Sequence, residues 1–575
     1  MAGKVLIFLQ PMSTVYTRHP VRRFFEILKY EHKDIGSIYF YAILSGLVQL
    51  SLPLGIQSII SFVLGGSIST SIVLLIILVV VGVFINGLLL VNQMKLIEKI
   101  QQQLFVRYSF QYAHHIPKLD LKKVDKYYLP EMVNRFFDTV SLQKAMSKIL
   151  MDVPVASLQI LFGLLLLMFY HPVFIFFGVL LLLVVFLMLW ITGPKGFETN
   201  MQESNYKYKV AGYLEELARV VTTFKFSRNS HLHIEHTDKY VTGYLKSRTA
   251  HFKILLIQYW TLVAFKVLIT AAMLIVGTLL LVNQQLNIGQ FIAAEIVIIM
   301  VMSSVEKLIG NLDKVYEVMT SLEKISKLTD QPEEKNGTVV LADKEGISIK
   351  ARELSFSYQD DKFVLKNISF DVNAGEKVCV MGTFSSGKSS LLRVLSAAYL
   401  PDEGIFTFND IPVVHYNLSS LRKNMGVMLH HQEIFEGTLL ENILMEHEIS
   451  DIKEVQQLAE MVSLKSFLEN QPEGYHLKLQ PVGKHLSGKI ARKIMLVRAL
   501  VKKPKLLLLE DPWIGLETEN AIRIKKYLLQ EIPHTTAFII SNDKSFAAQC
   551  DKVIYLVNGE LKAFGTWEQV ADVVK

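Results

Sequence analysis

The stretch that decides the fold of the second half of the chain is KVCVMGTFSSGKSSLLRVL, residues 377–395. It opens with a short, mostly apolar run that is typical of a buried strand, and it ends with a run that is typical of a helix. Between these runs, Gly382 to Ser389 has the spacing G-x-x-x-x-G-K-S. A strand, a glycine-containing loop and a helix in this order are the context that a phosphate-binding P-loop requires. The stretch therefore predicts a phosphate site on an α/β fold.

The residue types in this loop suit a nucleoside triphosphate and its metal ion. Gly382 and Gly387 allow backbone N–H groups to close around phosphate oxygens, and the following helix adds its N-terminal dipole. Lys388 neutralises phosphate charge, and the Ser389 hydroxyl is a ligand for Mg²⁺. The sequence therefore predicts a site for a nucleoside triphosphate and Mg²⁺. The remaining predicted phosphate contacts are Ser385, Ser386 and Ser390.

A second predicted strand brings acidic groups to the same site. Residues 506–509 are all leucine, and Glu510 and Asp511 follow directly. A carboxylate at the end of an apolar strand beside a P-loop normally holds the water shell of magnesium, so we assign Glu510 to the metal. Runs rich in β-forming residues alternate with helical stretches, which predicts a central sheet. These runs are residues 347–358, 377–381, 506–509, 536–540 and 553–557.

The composition indicates that an α/β domain is only part of this protein. Of the 575 residues, 51% are hydrophobic and 20% are charged, whereas a typical soluble domain is about 25% charged. This balance excludes a disordered, fibrous or purely soluble protein. The 60 Lys and Arg exceed the 53 Asp and Glu by 7, a surplus too small to indicate a nucleic-acid partner. The two cysteines form no CxxC or Cys/His cluster, so neither a disulfide framework nor a zinc site is expected.

Six long apolar segments lie before residue 306 and predict membrane helices. About 20 apolar residues of helix cross a hydrocarbon core of ~30 Å. Pro53 and Gly55 predict a kink in the first helix. We expect Glu295 to line a translocation path and Lys266 to extend to the inner interface. The predicted helices are residues 36–62, 72–91, 153–170, 172–192, 254–282 and 289–305.

The loops between these helices predict the orientation of the chain. The loops at 63–71, 171 and 283–288 contain no Lys or Arg, whereas the two long loops after the second and fourth helices are rich in both. We therefore expect a multi-pass protein of the cell membrane, with both termini and the P-loop domain in the cytoplasm. The basic and aromatic residues 19–30 predict an amphipathic helix on the membrane surface, with a plain cytoplasmic cap as the alternative.

Six membrane helices, two long cytoplasmic loops and a following P-loop domain resemble an ATP-binding-cassette (ABC) exporter half-transporter over nearly the whole chain. The membrane half is most similar to type I secretion and peptide exporters. The resemblance implies an α-helical membrane domain at residues 1–327, a linker at 328–350 and an α/β nucleotide-binding domain at 351–575. It also implies that the bound nucleotide is ATP and that the partner is a second half-transporter. It leaves open whether the pair is a homodimer or a heterodimer.

The resemblance assigns further residues by their place in the family's motifs. Tyr358 lies in the aromatic loop and would stack on adenine. Ser487 and Gly488 belong to the signature region, which contacts the γ-phosphate in the opposite site. Residues 117–135 and 214–228 fall where the family has its two coupling helices.

Several positions depart from the family's pattern, and all of them concern hydrolysis. The altered positions are 486–490 (LSGKI where LSGGQ is usual), Glu510 and Asp511 (usually Asp then Glu), Asn542 (usually the switch histidine), His430 (usually glutamine) and the D-loop at 515–517 (Gly-Leu-Glu).

These departures decide which mechanism the sequence predicts. Asp511, Asn542 and His430 are the predicted catalytic residues, but Asp511 is shorter than glutamate and Asn542 cannot carry charge or relay a proton. We expect nucleotide binding to be kept and hydrolysis to be weakened. The first hypothesis is an exporter subunit that moves a peptide, protein or lipid by alternating access. The second is a nucleotide-binding pseudo-transporter that acts as a regulatory or scaffold subunit. A fully active enzyme that tolerates the substitutions is the third.

Overall fold

A computed structural model gives the fold of residues 20–65, 70–227, 231–342, 346–359, 362–430, 432–445 and 452–574. The chain divides into two compact units. The first contains the described residues of Met1–Lys118 and Tyr127–Gln331, and the second contains Leu119–Lys126 and the described residues of Pro332–Lys575. The short segment Leu119–Lys126 thus belongs to the second unit, although residues of the first unit precede and follow it in sequence.

The first unit consists of long apolar helices. Within the described ranges, six are long and apolar enough to cross a membrane, which confirms the predicted six-helix membrane domain. They extend well past the predicted spans. Thr70–His115 alone has 46 residues, which at 1.5 Å per residue is about 69 Å. In the described residues up to Thr329, the α-helices are α1 Pro20–Tyr30, α2 His32–Gln49, α3 Ser51–Leu64, α4 Thr70–His115, α5 Leu121–Val124, α6 Leu129–Asn134, α7 Asp138–Tyr170, α8 Phe174–Arg219, α9 Val221–Lys225, α10 Leu232–Val282, α11 Ile288–Gly310 and α12 Leu312–Thr329.

The first membrane crossing is interrupted between α2 and α3. The interruption falls at Leu50, shortly before Pro53. Proline lacks an N–H, and its ring clashes with the carbonyl group four residues earlier, so the helix restarts instead of running through. A Cβ added at Gly55 would lie 2.3 Å from Cγ2 of Val79, so the glycine permits close packing of α3 on α4. The break in the helix thus lies next to the predicted position, and the missing N–H of Pro53 accounts for it.

The predicted amphipathic helix is present as α1, which begins at Pro20; His19 lies outside the described residues. Phe25 is 61% exposed, whereas Ile27 is buried. Arg23 forms an ion pair with Asp330, just beyond α12. The helix is therefore fixed to the first unit by one face and leaves an aromatic side chain exposed on the other, as a membrane-surface helix requires.

The two charged residues inside the predicted spans differ in their surroundings. Lys266 Nζ on α10 lies 3.3 Å from Oε2 of Glu306 on α11, so its charge is balanced by a neighbouring helix. Glu295 on α11 is half-buried, and its position on a translocation path stays a prediction.

Each segment predicted as a coupling helix contains a short helix: α5 lies in residues 117–135 and α9 in residues 214–228. Asp120 caps α5 by accepting from the backbone N–H groups of Lys122 and Lys123. Lys122 forms an ion pair with Asp402, and its ammonium lies 5.4 Å from the centre of the Phe356 ring. These contacts explain why α5 belongs to the second unit.

The second unit is an α/β fold around a ten-stranded sheet with the order β5-β4-β1-β2-β12-β11-β3-β10-β9-β6. The five strand predictions are confirmed to within a few residues at their ends. The strands are β1 Ile349–Phe356, β2 Leu365–Val372, β3 Lys377–Gly382, β4 Glu403–Phe408, β5 Ile411–Pro412, β6 Met425–Met428, β7 Gly437–Thr438, β8 Lys478–Leu479, β9 Leu506–Glu510, β10 Thr536–Ile540, β11 Lys552–Val557 and β12 Glu560–Gly565. The helices are α13 Lys388–Leu395, α14 Leu418–Lys423, α15 Leu439–Leu444, α16 Ile452–Met461, α17 Lys465–Glu469, α18 Gly488–Leu500, α19 Thr518–Lys526, α20 Lys544–Ala547 and α21 Trp567–Val570.

The parallel part of this sheet positions the site. Strands β3, β10, β9 and β6 are neighbours and pair in parallel. Strands β3, β9 and β10 are fully buried, which matches their continuous apolar runs. Because parallel strands end at the same edge, the loops that follow β3, β9, β10 and β6 meet there.

Candidate nucleotide-binding site

The phosphate loop joins β3 to α13 through two glycines in backbone conformations that other residues rarely adopt. The φ angle is +153° at Gly382 and +95° at Gly387. A Cβ at Gly382 would lie 2.2 Å from the carbonyl oxygen of Leu556, and one at Gly387 would lie 2.7 Å from Cδ2 of Leu365. Glycine is therefore required at both positions, and the loop can turn its backbone N–H groups inward.

Lys388 lies against the inside of this loop. Its ammonium donates to the carbonyl oxygens of Gly382, at 2.9 Å, and Thr383, at 2.7 Å. Burial lowers the pKa of the Lys388 ammonium, whereas the carboxylates of Asp511 and Glu510 act in the opposite direction. The cation is therefore placed where phosphate oxygens would enter the loop. Of the two loop serines, Ser385 is exposed and Ser386 is buried.

The predicted magnesium ligands are in direct contact. Ser389 Oγ donates to Oε1 of Glu510, and Oε2 of Glu510 accepts the backbone N–H of His430 at 2.9 Å. Glu510 is buried, so its carboxylate is held in place. A hydroxyl and a carboxylate oxygen are hard donors of the kind that Mg²⁺ takes alongside nucleotide phosphates. The residues present therefore fit a magnesium ion bound together with a nucleotide.

The acid edge, which we define as His430, Glu510 and Asp511, lies beside this pair. His430 Nε2 is 3.7 Å from Oε1 of Glu510 and 3.7 Å from Oδ2 of Asp511. Asp511 has a φ of +47°, a left-handed conformation unusual for a residue with a side chain. Burial raises the pKa of the Asp511 carboxyl; Glu510 acts in the same direction, and His430 and Arg492 oppose it. The structure thus brings two of the three predicted catalytic residues together.

Asn542, the third predicted catalytic residue, follows β10. Ile540 at the end of β10 pairs with Glu510 on β9, so Asn542 lies at the same edge of the sheet, and its side chain is exposed. The next residue, Asp543, accepts from the backbone N–H groups of Ser545 and Phe546. Burial raises the pKa of Asp543, but hydrogen bonds from Lys525, Ser545 and Phe546 outweigh it and lower this pKa to about 2. Asn542 is therefore carried on an anchored turn.

Tyr358 and Ser390 contact each other. The Tyr358 hydroxyl lies 3.0 Å from Ser390 Oγ and accepts from the guanidinium of Arg393 at 2.9 Å. The Tyr358 ring packs edge-on against Phe356 and Tyr399, with centroids 4.9 Å and 5.4 Å away. The aromatic loop is thus linked to α13, the helix that follows the phosphate loop. Ser390 was predicted from the sequence to contact phosphate, and in this structure its hydroxyl is directed to Tyr358.

The signature residues begin α18. Ser487 caps this helix, because its Oγ accepts the backbone N–H of Ile490 at 3.3 Å. Ser487, Gly488 and Lys489 are all exposed. They are therefore available to a second chain, as the resemblance implies.

Arg492 of α18 is a residue of this site that lies outside the sequence motifs. Its guanidinium donates to the carbonyl oxygens of Glu510, at 3.4 Å, and Asp511, at 3.0 Å, and it lies 3.4 Å from Nδ1 of His430. A basic residue in the second turn of the signature helix was the available signal. Nothing in the sequence said which loop that turn would face.

Two family models match this chain in the order expected. The model of the ABC transporter transmembrane region matches residues 35–305, and the model of the ABC transporter itself matches residues 365–513. A solved structure of a bacterial Atm1-family ABC exporter with ATP bound covers 95% of this chain and 97% of its own, with a TM-score of 0.83 and 18% identity. This similarity shows the fold and confirms the predicted pairing of a six-helix membrane domain with a P-loop domain.

Curated relatives match over about half of their own length. A probable ABC transporter ATP-binding/permease protein of Haemophilus influenzae is 28% identical over 290 residues, which are 50% of this chain and 52% of that protein. The β-(1→2)glucan export ATP-binding/permease protein NdvA of Rhizobium meliloti is 24% identical over 309 residues, 52% of each. Both family models, the exporter fold and the six membrane helices occur in one polypeptide. The chain therefore belongs to the ABC transporters and is a multi-pass membrane protein with the architecture of an exporter half-transporter.

Proposed function

We propose that this chain is the ATP-binding subunit of an exporter that moves a peptide, protein or lipid out of the cytoplasm by alternating access, with weakened ATP hydrolysis. The observation that carries the proposal is the contrast within one site. The phosphate loop with Lys388, Ser389 and Glu510 is arranged for binding, whereas Asp511 and Asn542 are poorly suited to catalysis.

Each residue of the phosphate loop and its neighbours has a role in nucleotide binding. Backbone N–H groups between Gly382 and Gly387 donate to phosphate oxygens, and Lys388 moves from its carbonyl partners to balance their charge. Ser389 and Glu510 would hold Mg²⁺, and the bound ion would supply positive charge that neutralises the phosphates. Tyr358 supplies an aromatic face for adenine, and Arg393 fixes its hydroxyl.

The two residues at the catalytic positions are poorly suited to hydrolysis, because the Asp511 side chain is short and the Asn542 side chain is uncharged. An aspartate at position 511 ends one C–C bond, about 1.5 Å, short of a glutamate in the same backbone position. A carboxylate that far from the attacking water loses much of the benefit of a positioned base, because such catalysis depends on hydrogen-bond distance. Asn542 can donate a hydrogen bond but cannot become a cation. Weak hydrolysis with intact binding is the expected result.

The proposed transporter is a dimer of this chain with a second half-transporter. The exposed residues Ser487, Gly488 and Lys489 would face the nucleotide held by the partner's phosphate loop. A homodimer would carry every substitution in both sites. In a heterodimer with an unaltered partner, each of the two nucleotide sites would still contain some of the substitutions. Neither pairing therefore gives a site with all of the family's usual motif residues.

The decisive experiment is to purify the tagged chain from native membranes, identify any copurifying half-transporter, and assay ATPase activity of the complex. Transport is supported if the complex hydrolyses ATP in a way that depends on Lys388. A stable complex that binds ATP, fails to hydrolyse it and leaves the partner's activity altered would instead show the regulatory pseudo-transporter. A complex that binds no nucleotide would contradict both.

A further inference from the structure

The guanidinium of Arg492 joins the signature helix to the acid edge. It reaches Nδ1 of His430 with one nitrogen, at 3.4 Å, and the carbonyl oxygens of Glu510 and Asp511 with another, at 3.4 Å and 3.0 Å. These contacts connect three separate segments of the second unit: α18, the loop after β6 and the loop after β9.

The contact with His430 has a chemical consequence for the imidazole. A guanidinium carries only donors and stays protonated at any relevant pH, so Nδ1 of His430 has to be the acceptor. A ring nitrogen that accepts carries no proton, and the single ring proton of the neutral imidazole is then on Nε2. Nε2 is the nitrogen that lies 3.7 Å from both Oε1 of Glu510 and Oδ2 of Asp511. The arginine thus directs the imidazole N–H toward the carboxylates of Glu510 and Asp511.

The contact with the carbonyl groups supports the same edge. Asp511 has a φ of +47°, a left-handed conformation that strains the backbone of a residue with a side chain. Its N–H is satisfied by the carbonyl oxygen of Ile540 at 3.1 Å. Arg492 occupies the carbonyl side of the same turn, so the backbone that carries Asp511 is held from both sides.

We infer that Arg492 is a positioning residue that fixes the His430 tautomer and the backbone of Asp511, so that the Nε2–H of His430 faces the carboxylates of Glu510 and Asp511. The inference rests on the proposed hydrolysis of ATP at this site. It makes His430 and Arg492 a functional pair, in which the histidine depends on the arginine and a glutamine would not.

The test is a double-mutant cycle on the full chain in lipid nanodiscs, with single-turnover hydrolysis of Mg·ATP and equilibrium ATP affinity measured for each variant. Arg492→Ala is expected to slow hydrolysis about tenfold or more, the loss of one charge-assisted hydrogen bond, with ATP affinity within about twofold of wild type. Arg492→Lys is expected to recover part of this loss, because one ammonium cannot bridge all three acceptors. Arg523→Ala, which removes an arginine whose partner is the exposed Glu519 on the same helix, is the charge-matched control and should change neither quantity.

The same change in a His430→Gln background separates the tautomer role from simple support of the fold. An amide has no tautomer to fix, so Arg492→Ala should then cost less than about threefold. Equal losses in both backgrounds, or a loss that appears as weaker ATP affinity, would overturn the inference.

A readout that needs no hydrolysis keeps this test independent of the proposed function. In ¹⁵N-histidine-labelled full chain in bilayers, the signal absent from the His430→Gln spectrum identifies His430. It should report an unprotonated Nδ1 in the wild type and a changed tautomer balance in Arg492→Ala. An unchanged tautomer would overturn the inference even if ATP is hydrolysed. The expected change in a chain that hydrolyses nothing would support the positioning role and reject the proposed hydrolysis.

Discussion

The phosphate loop and the acid edge lie side by side in the second unit, yet they are built in different ways. The loop is one continuous stretch between Gly382 and Ser389, and its shape depends on two glycines with positive φ. The acid edge is assembled from the ends of different strands, with His430 after β6 and Asp511 after β9. Arg492 joins it from α18.

This difference explains how one site can keep binding while hydrolysis weakens. Phosphate binding depends on backbone N–H groups and one cation, and a substitution elsewhere on the sheet does not disturb them. Hydrolysis depends on side-chain reach and orientation from several segments at once, so each substitution there acts on the transition state directly.

Removal of the phosphate-loop cation should have the strongest effect on the site. Lys388→Ala should weaken ATP binding by about 10–150-fold, because it leaves phosphate charge without a partner worth about 1.5–3 kcal/mol. The measurement is equilibrium ATP affinity of the purified full chain in nanodiscs. Lys562→Ala is the control, since Lys562 forms an ion pair with the exposed Glu560 and should leave affinity unchanged. Equal affinities for wild type and Lys388→Ala would show that the loop does not bind the nucleotide.

Restoring the usual motif residues should raise ATPase turnover. Asp511→Glu with Asn542→His restores one half of the catalytic arrangement and should raise turnover only slightly. Adding Lys489→Gly and Ile490→Gln should raise it about tenfold or more, because groups that act on one transition state are not additive. ATPase rates of both variants and of the signature pair alone, at equal ATP occupancy, test this. If all three stay as slow as wild type, the obstacle lies outside these residues and the pseudo-transporter hypothesis gains.

The smallest effect concerns the anchored turn that carries Asn542. Lys525→Gln should destabilise the second unit by about 1 kcal/mol at pH 7, since it removes a partly buried ion pair with Asp543. The pKa of Asp543 is about 2 in the folded chain, below the ~3.9 of an unfolded aspartate. The pair's stabilisation is therefore complete above about pH 4 and is lost as the pH falls toward 2.

Denaturant midpoints followed by Trp513 fluorescence give this difference, because the Trp513 ring lies 5.0 Å from the Lys525 ammonium and 4.6 Å from Phe546. The loss should be the same at pH 8 and pH 5. A difference that grows between these values would contradict the assignment of the depressed pKa to this pair.

The phosphate loop and the membrane helices could be predicted from the sequence because their determinants are local. Gly382, Gly387 and Lys388 occur at fixed spacing in one stretch, and an uncharged apolar run long enough to span a bilayer needs no tertiary information. The strands β3, β9 and β10 could also be predicted from the sequence, since fully buried parallel strands have continuous apolar runs.

The contacts between distant segments could not be predicted in this way. Arg492 contacts the acid edge only because α18 and β9 pack together, and no spacing in the sequence encodes that proximity. Ser390 is directed to Tyr358, which lies on another segment. The segment Leu119–Lys126 belongs to the second unit through Lys122 and Asp402, a pair far apart in sequence. Each depends on three-dimensional packing, which composition and periodicity do not contain.

Binding and slow hydrolysis of ATP by this site can both be measured on one sample. Purified full chain in nanodiscs is mixed with Mg·ATP, and bound nucleotide is quantified as ATP and ADP over time, with Lys388→Ala as the binding control. We predict Lys388-dependent binding with turnover well below about 1 s⁻¹, the lower end for typical enzymes. A turnover of tens per second from the pure chain would show that its ATP hydrolysis is not weakened.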